Sequence, residues 1–137
     1  FPTHKFAGDV TTKLAVALKE DGRPAEAAAE YERIATTEGL PDVQRAALWQ
    51  AAELFAAAGR PADEARQYEL IVARFPAPAA EALEARQKLA DLAATGGDWS
   101  TRKRWLLAIV AADAAAGAGR TDRRKQYERL GQETIPA

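Results

Sequence analysis

Two Gly-Arg-Pro turns, Gly22-Arg23-Pro24 and Gly59-Arg60-Pro61, stand 37 residues apart (59 − 22) in this 137-residue chain and constrain its fold more than any other feature. Each opens a matching run: Ala25, Ala28, Tyr31, Glu32 and Ile34 in the first align with Ala62, Ala65, Tyr68, Glu69 and Ile71 in the second. A glycine suits the left-handed cap that ends one helix, and a proline fixes φ at the start of the next. The apolar residues recur at helical spacing, and Pro76 with Pro78 stops the second run. An internal period of roughly 20 to 50 residues is the sequence signature of stacked helical modules, each burying its face against its neighbours.

With the turns placed, the remaining helices follow. Val10, Leu14, Ala17 and Leu18 form one face of a first helix over 8–21, with Asp9 or Thr11 as cap. The second runs from Pro24 to Glu38 with Ala27, Ala28, Tyr31, Ile34 and Ala35 inward, and Gly39-Leu40-Pro41 breaks it. Pro41 to Ala58 is the third, Pro61 to Phe75 the fourth and Ala79 to Thr95 the fifth. Asp98 is placed to cap a sixth from Trp99 to Asp113, with Trp105, Leu106, Ile109 and Val110 as its stripe. After Gly117-Ala118-Gly119, a short last helix is expected from Thr121 to Leu130. Alternation with period two and β-branched clusters are missing, so no strand is expected. The division is a lead-in over 1–7, helical repeats over 8–113, and a turn with a capping helix over 114–137.

These residues resemble the tetratricopeptide repeat, in a divergent, bacterial style. The resemblance rests on Leu48, Ala51, Ala52, Phe55, Gly59, Tyr68, Ile71 and Pro76 in the middle unit. Leu14, Ala15, Leu18, Gly22, Ala27, Tyr31 and Ile34 carry it in the first unit, and Leu89, Ala90, Gly97, Leu106 and Ile109 in the third. The pattern departs at Gly39, where the family prefers proline, and at Arg102, where it prefers a small residue. The resemblance implies an all-α, right-handed α-solenoid of about three antiparallel helix hairpins plus a C-terminal helix. It implies a concave surface, formed by the first helix of each pair, that binds a protein or peptide partner. Carried over by position, that surface holds Asp9, Thr12, Val16 and Lys19, then Trp49, Glu53 and Ala56, then Glu84, Gln87 and Asp91. Trp49 is either a groove anchor or core under the adjacent repeat.

Chemistry of other kinds is poorly provided for. The chain has no cysteine, which removes disulfides, thiolate metal sites and a Cys nucleophile. His4 is the one histidine, so neither a Ser-His-Asp triad nor a multi-His metal site can be assembled. Glu26 with Glu30 and Glu81 with Glu84 share helix faces among Arg and Lys, which marks solvated surface rather than acid/base catalysis. The expectation is a non-enzymatic scaffold or assembly module with no catalytic residue, cofactor or metal.

Net charge is −1, but residues 98–137 carry an excess of three positive charges and the first 97 an excess of four negative ones. This asymmetry supplies an alternative, binding of nucleic acid or an acidic partner through Arg120, Arg123, Arg124 and Lys125. The lack of interleaved aromatics for base stacking disfavours nucleic acid. A third alternative is a non-catalytic domain of a larger enzyme. The incomplete last unit suggests contact with more chain or self-association through repeat ends. No stretch reaches the apolar length of a transmembrane helix. The absence of methionine suggests a fragment or processed form, and the style of the repeats points to the bacterial envelope over the cytoplasm.

Overall fold

In a computed structural model, residues 3–37 and 39–116 are described, with side chains from residue 12 onward. They form six α-helices: α1 (Thr3–Glu20), α2 (Pro24–Thr37), α3 (Pro41–Ala57), α4 (Pro61–Arg74), α5 (Ala79–Thr95) and α6 (Trp99–Ala116). No strand occurs among the described residues, so the protein is all-α there. The chain divides into two units, Phe1–Phe75 and Pro76–Ala137. In the first, α1 packs on α2, α2 on α3 and α3 on α4; in the second, α5 packs on α6.

The three tight turns, after α1, α3 and α5, are built alike because the same backbone problem is solved three times. Gly22, Gly59 and Gly97 sit at φ +75°, +71° and +75°, a region closed to most side chains. In each, the residue after the glycine donates its N–H five residues back: Arg23 to Leu18 O (2.9 Å), Arg60 to Phe55 O (2.9 Å) and Asp98 to Ala93 O (2.8 Å). The glycine N–H donates to Lys19, Ala56 or Ala94 (3.1, 3.1 and 3.0 Å), so carbonyls orphaned at the helix end are satisfied. The next helix then starts at once. Pro24 and Pro61 open α2 and α4, whereas α6 lacks a proline and uses Asp98, whose Oδ1 accepts the Thr101 N–H at 3.1 Å and whose Oδ2 accepts the Thr101 hydroxyl at 2.6 Å. Those bonds favour the ionised form, the hydroxyl first and the backbone N–H next, so the Asp98 pKa is lowered.

Alanine sets the spacing of the first unit. Ala27 and Ala28 on α2 meet Ala51, Leu54 and Phe55 on α3 in one buried cluster, with Leu18 and Tyr31 packed against it. Farther along, Tyr68 and Ile71 of α4 are buried, and Arg60 and Arg66 each place a guanidinium 5.9 Å from the centre of the Phe55 ring. A polar clamp ties α2 to α4. Glu32 Oε2 accepts from Arg66 Nη2 at 2.8 Å and from Gln67 Nε2 at 2.7 Å, and Arg66 Nη1 also reaches Asp63 Oδ1 at 2.6 Å. Gln67 is fully buried, and its side-chain oxygen has no hydrogen-bond partner. The Glu32 and Asp63 carboxylates hold the Arg66 pKa above its ordinary value, and Arg66, followed by Arg60, lowers that of Asp63. In the second unit, Ala90, Leu106 and Ile109 form the core, flanked by Leu83 and Trp105.

Several boundaries and faces differ from the sequence reading. α1 begins at Thr3 rather than at Gly8, so most of the expected lead-in is helical and Gly8 lies inside the helix, a placement that costs only about 1 kcal/mol relative to alanine. On α1 the buried residue is Ala15, at 0% exposure, while Leu14 is 46% exposed and Ala17 is exposed too. Close packing on α2 favours the smaller side chain at this level, about 100° around the helix from Leu14, while Leu18 still packs against the core. α6 continues to Ala116, past Asp113, since nothing before Gly117 breaks it. Trp99 is 45% exposed. The expected helix from Thr121 to Leu130 lies outside the described residues.

Candidate partner-binding cleft

In the first unit a cleft of about 290 Å³ opens between α1 and α3. Its floor is Tyr31 and Ile34 of α2 with Ala47 of α3, residues that also belong to or border the buried core. Thr12 forms the α1 wall; Val43, Ala46 and Gln50, one helical turn apart on α3, form the other, and Asp42 stands at the first turn of α3. The cleft exists because α1 presents Ala15 to the core and leaves Thr12 at its edge, too short to fill the space over Tyr31. Val43 is 37% exposed, so apolar surface continues from the floor to the α3 rim. The Asp42 carboxylate is held by Arg45 Nη1 at 3.0 Å, yet its side chain remains 87% exposed.

The residues expected on a binding face divide between the units. Thr12 lines the cleft; Val16 and Lys19 follow on the same edge of α1, both exposed. Asp9 lies among side chains outside the described set. Trp49 is half-buried, with its ring centroid 5.6 Å from that of Tyr68 at 57°, so part of the ring is core and part remains at the surface. Glu53 and Ala56 are exposed on the same side of α3 as Trp49, at spacings of four and seven residues. Glu84, Gln87 and Asp91 belong to the second unit, on α5: Glu84 is exposed, Gln87 is half-buried, and Asp91 is exposed with its Oδ1 3.9 Å from Arg102 Nη1. Arg102, at the position where a small residue was expected, is therefore held toward α5, its Nε buried without a hydrogen-bond partner.

Sequence reasoning placed Tyr31 and Ile34 on the inward stripe of α2 and gave no binding role to Asp42, Val43, Ala46, Ala47 or Gln50. The signal for Gln50 was present, since it shares a face with Val43, Ala46 and Ala47 at helical spacing.

The second unit has a smaller cavity of about 240 Å³ between α5 and α6, with Leu83 and Ile109 in its lining and the buried Asp113 beside half-buried Arg86. Among the described residues, no group of three or more His, Cys, Asp or Glu side chains is arranged to hold a metal ion, and no helix is long and apolar enough to cross a membrane. Comparison of the chain with protein-family models, with curated proteins and with solved structures finds no match.

Proposed function

We propose that the chain is a non-enzymatic interaction module, a tetratricopeptide-like right-handed solenoid that holds a segment of a partner protein against α1 and α3. The observation that carries this reading is the cleft itself: an apolar floor of Tyr31, Ile34 and Ala47 open to solvent between two helices, with polar groups at its margin. Recognition grooves have this composition, because apolar contact supplies affinity and a few placed polar groups supply orientation. The repeated turns at Gly22, Gly59 and Gly97 support the same reading, since they join α1 to α2, α3 to α4 and α5 to α6 by one geometry, as a hairpin array requires.

The test is site-directed photocrosslinking in source cells, with a photoreactive phenylalanine analogue at Ala46 on the cleft wall and, as control, at Glu69 on the exposed part of α4. A discrete adduct from position 46 that is absent from position 69 is the expected outcome. Identical adducts from both positions, or none from position 46, would refute the assignment of the face.

A further inference from the structure

We propose that the cavity between α5 and α6 is the seat of this chain's own segment 121–130, which folds back along α6 and turns Arg123, Tyr127 and Leu130 toward it. The segment lies outside the described residues. Two observations carry the inference, the cavity and the spacing of residues on either side of the break after α6, and neither depends on the cleft of the first unit. α6 buries Leu106, Ile109 and Asp113, spaced as one helical face. They stand twelve, nine and five residues before Ala118, the centre of Gly117-Ala118-Gly119. Arg123, Tyr127 and Leu130 stand five, nine and twelve residues after it. At about 100° per residue these three fall within about 60° of one another, so a helical segment carries them on one face. In a helix pair that reverses at Ala118, the mirrored spacing sets Arg123 level with Asp113, Tyr127 with Ile109 and Leu130 with Leu106. The result is an apolar seam with one ionic pair near the turn.

The cavity has the matching chemistry. Its volume of about 240 Å³ suits one or two side chains, and Leu83 of α5 with Ile109 and Ala112 of α6 give it apolar walls. Ala116, the last residue of α6, stands at its rim, so a segment that leaves α6 starts there. Asp113 is 5% exposed, a depth at which a carboxylate is costly unless cations or hydrogen-bond donors surround it. Arg86 shares the lining, so net charge alone does not select the occupant; the register is what brings Arg123 to Asp113. Tethering selects this segment over a separate partner or a second copy. It belongs to the same unit, Pro76–Ala137, and a connection of a few residues gives it an effective concentration on the order of millimolar.

The experiment is disulfide trapping in the whole chain, which has no cysteine of its own, so two introduced cysteines define a single bond. One variant carries Ala112→Cys on the cavity wall with Tyr127→Cys, and the control carries Leu107→Cys with Tyr127→Cys. Leu107, 55% exposed, lies about 160° around α6 from Ile109 and only two residues from its level. After mild oxidation of chains shown by circular dichroism to be folded, the first variant should form an intramolecular disulfide and the control none. Arg123→Glu should lower the melting temperature by about 5 °C, and Arg124→Glu, about 100° around the segment, by less than about 2 °C. Adding Asp113→Lys to Arg123→Glu should restore part of the loss. Equal yields from the two cysteine pairs, or no disulfide in the first, would overturn the proposal. A covalent dimer in place of the intramolecular bond would assign the cavity to a second copy and overturn it as well. Equal losses for Arg123→Glu and Arg124→Glu would overturn the facing of the segment.

Discussion

Replacing Ala51 by leucine tests whether close approach of α2 and α3 is what this alanine-rich sequence encodes. Ala51 is 0% exposed and packs among Ala27, Ala28, Leu54 and Phe55, two of which are also at 0%. Three added carbon atoms would contribute about 2.4 kcal/mol of transfer free energy if space were ready for them, at about 0.8 per methylene. No space is ready, so the helices must separate or neighbouring side chains must leave their rotamers. Overpacking of this kind outweighs the transfer gain, with a net cost of typically 1–3 kcal/mol. For a chain of this length that lowers the melting temperature by about 3–15 °C. The control is Ala46→Leu on the same helix, where the side chain is exposed; its effect should stay within about 0.5 kcal/mol. Urea unfolding followed by far-UV circular dichroism measures both. An Ala51→Leu chain as stable as the native one, or more stable, would refute the claim that the seam is already filled.

Two further outcomes follow from the polar groups. Glu32→Ala leaves the buried Gln67 amide and the Arg66 guanidinium without their shared acceptor and should cost about 1–3 kcal/mol, and a double-mutant cycle with Gln67→Met should show coupling rather than additivity. The lowered pKa values of Asp63 and Asp98 make their contribution present above the ordinary carboxylate range and lost as pH falls through and below about 4, because protonation then favours the unfolded chain. Acid titrations of stability should therefore be less steep in an Asp63→Asn, Asp98→Asn double variant; an unchanged acid limb would contradict the assigned hydrogen bonds.

Helix limits were legible wherever a breaker is local. Pro41, Pro61 and Ala79 start their helices where the sequence places them, because φ restriction and the missing N–H act within one turn. The burial of Ala27, Ala28, Ile34, Tyr68 and Ile71 was legible too, from helical periodicity. Two things were not. The choice of Ala15 over Leu14 on α1 is made by the partner helix, and in a sequence this rich in alanine the periodicity fits either face. The cleft is a shape between three helices, and a residue such as Tyr31 or Ala47 shows the same pattern whether the space beside it is filled or open. Trp49, expected either as a groove anchor or as core, is half-buried against Tyr68.

The three glycine turns also mark where this chain can grow. A Cβ added at Gly22, Gly59 or Gly97 would meet nothing within 4 Å, so each turn points into open solvent while its two helices are registered by buried contacts elsewhere. The cost of a longer connection at such a point rises only slowly, by about 0.6 kcal/mol for each doubling of a flexible loop. Whole segments, a reporter or an affinity handle among them, can therefore be spliced in beside these glycines with the helix pairs left in register. The three turns themselves keep one length, residues 21–23, 58–60 and 96–98, so the one-residue difference in spacing, 37 from Gly22 to Gly59 and 38 from Gly59 to Gly97, lies outside them.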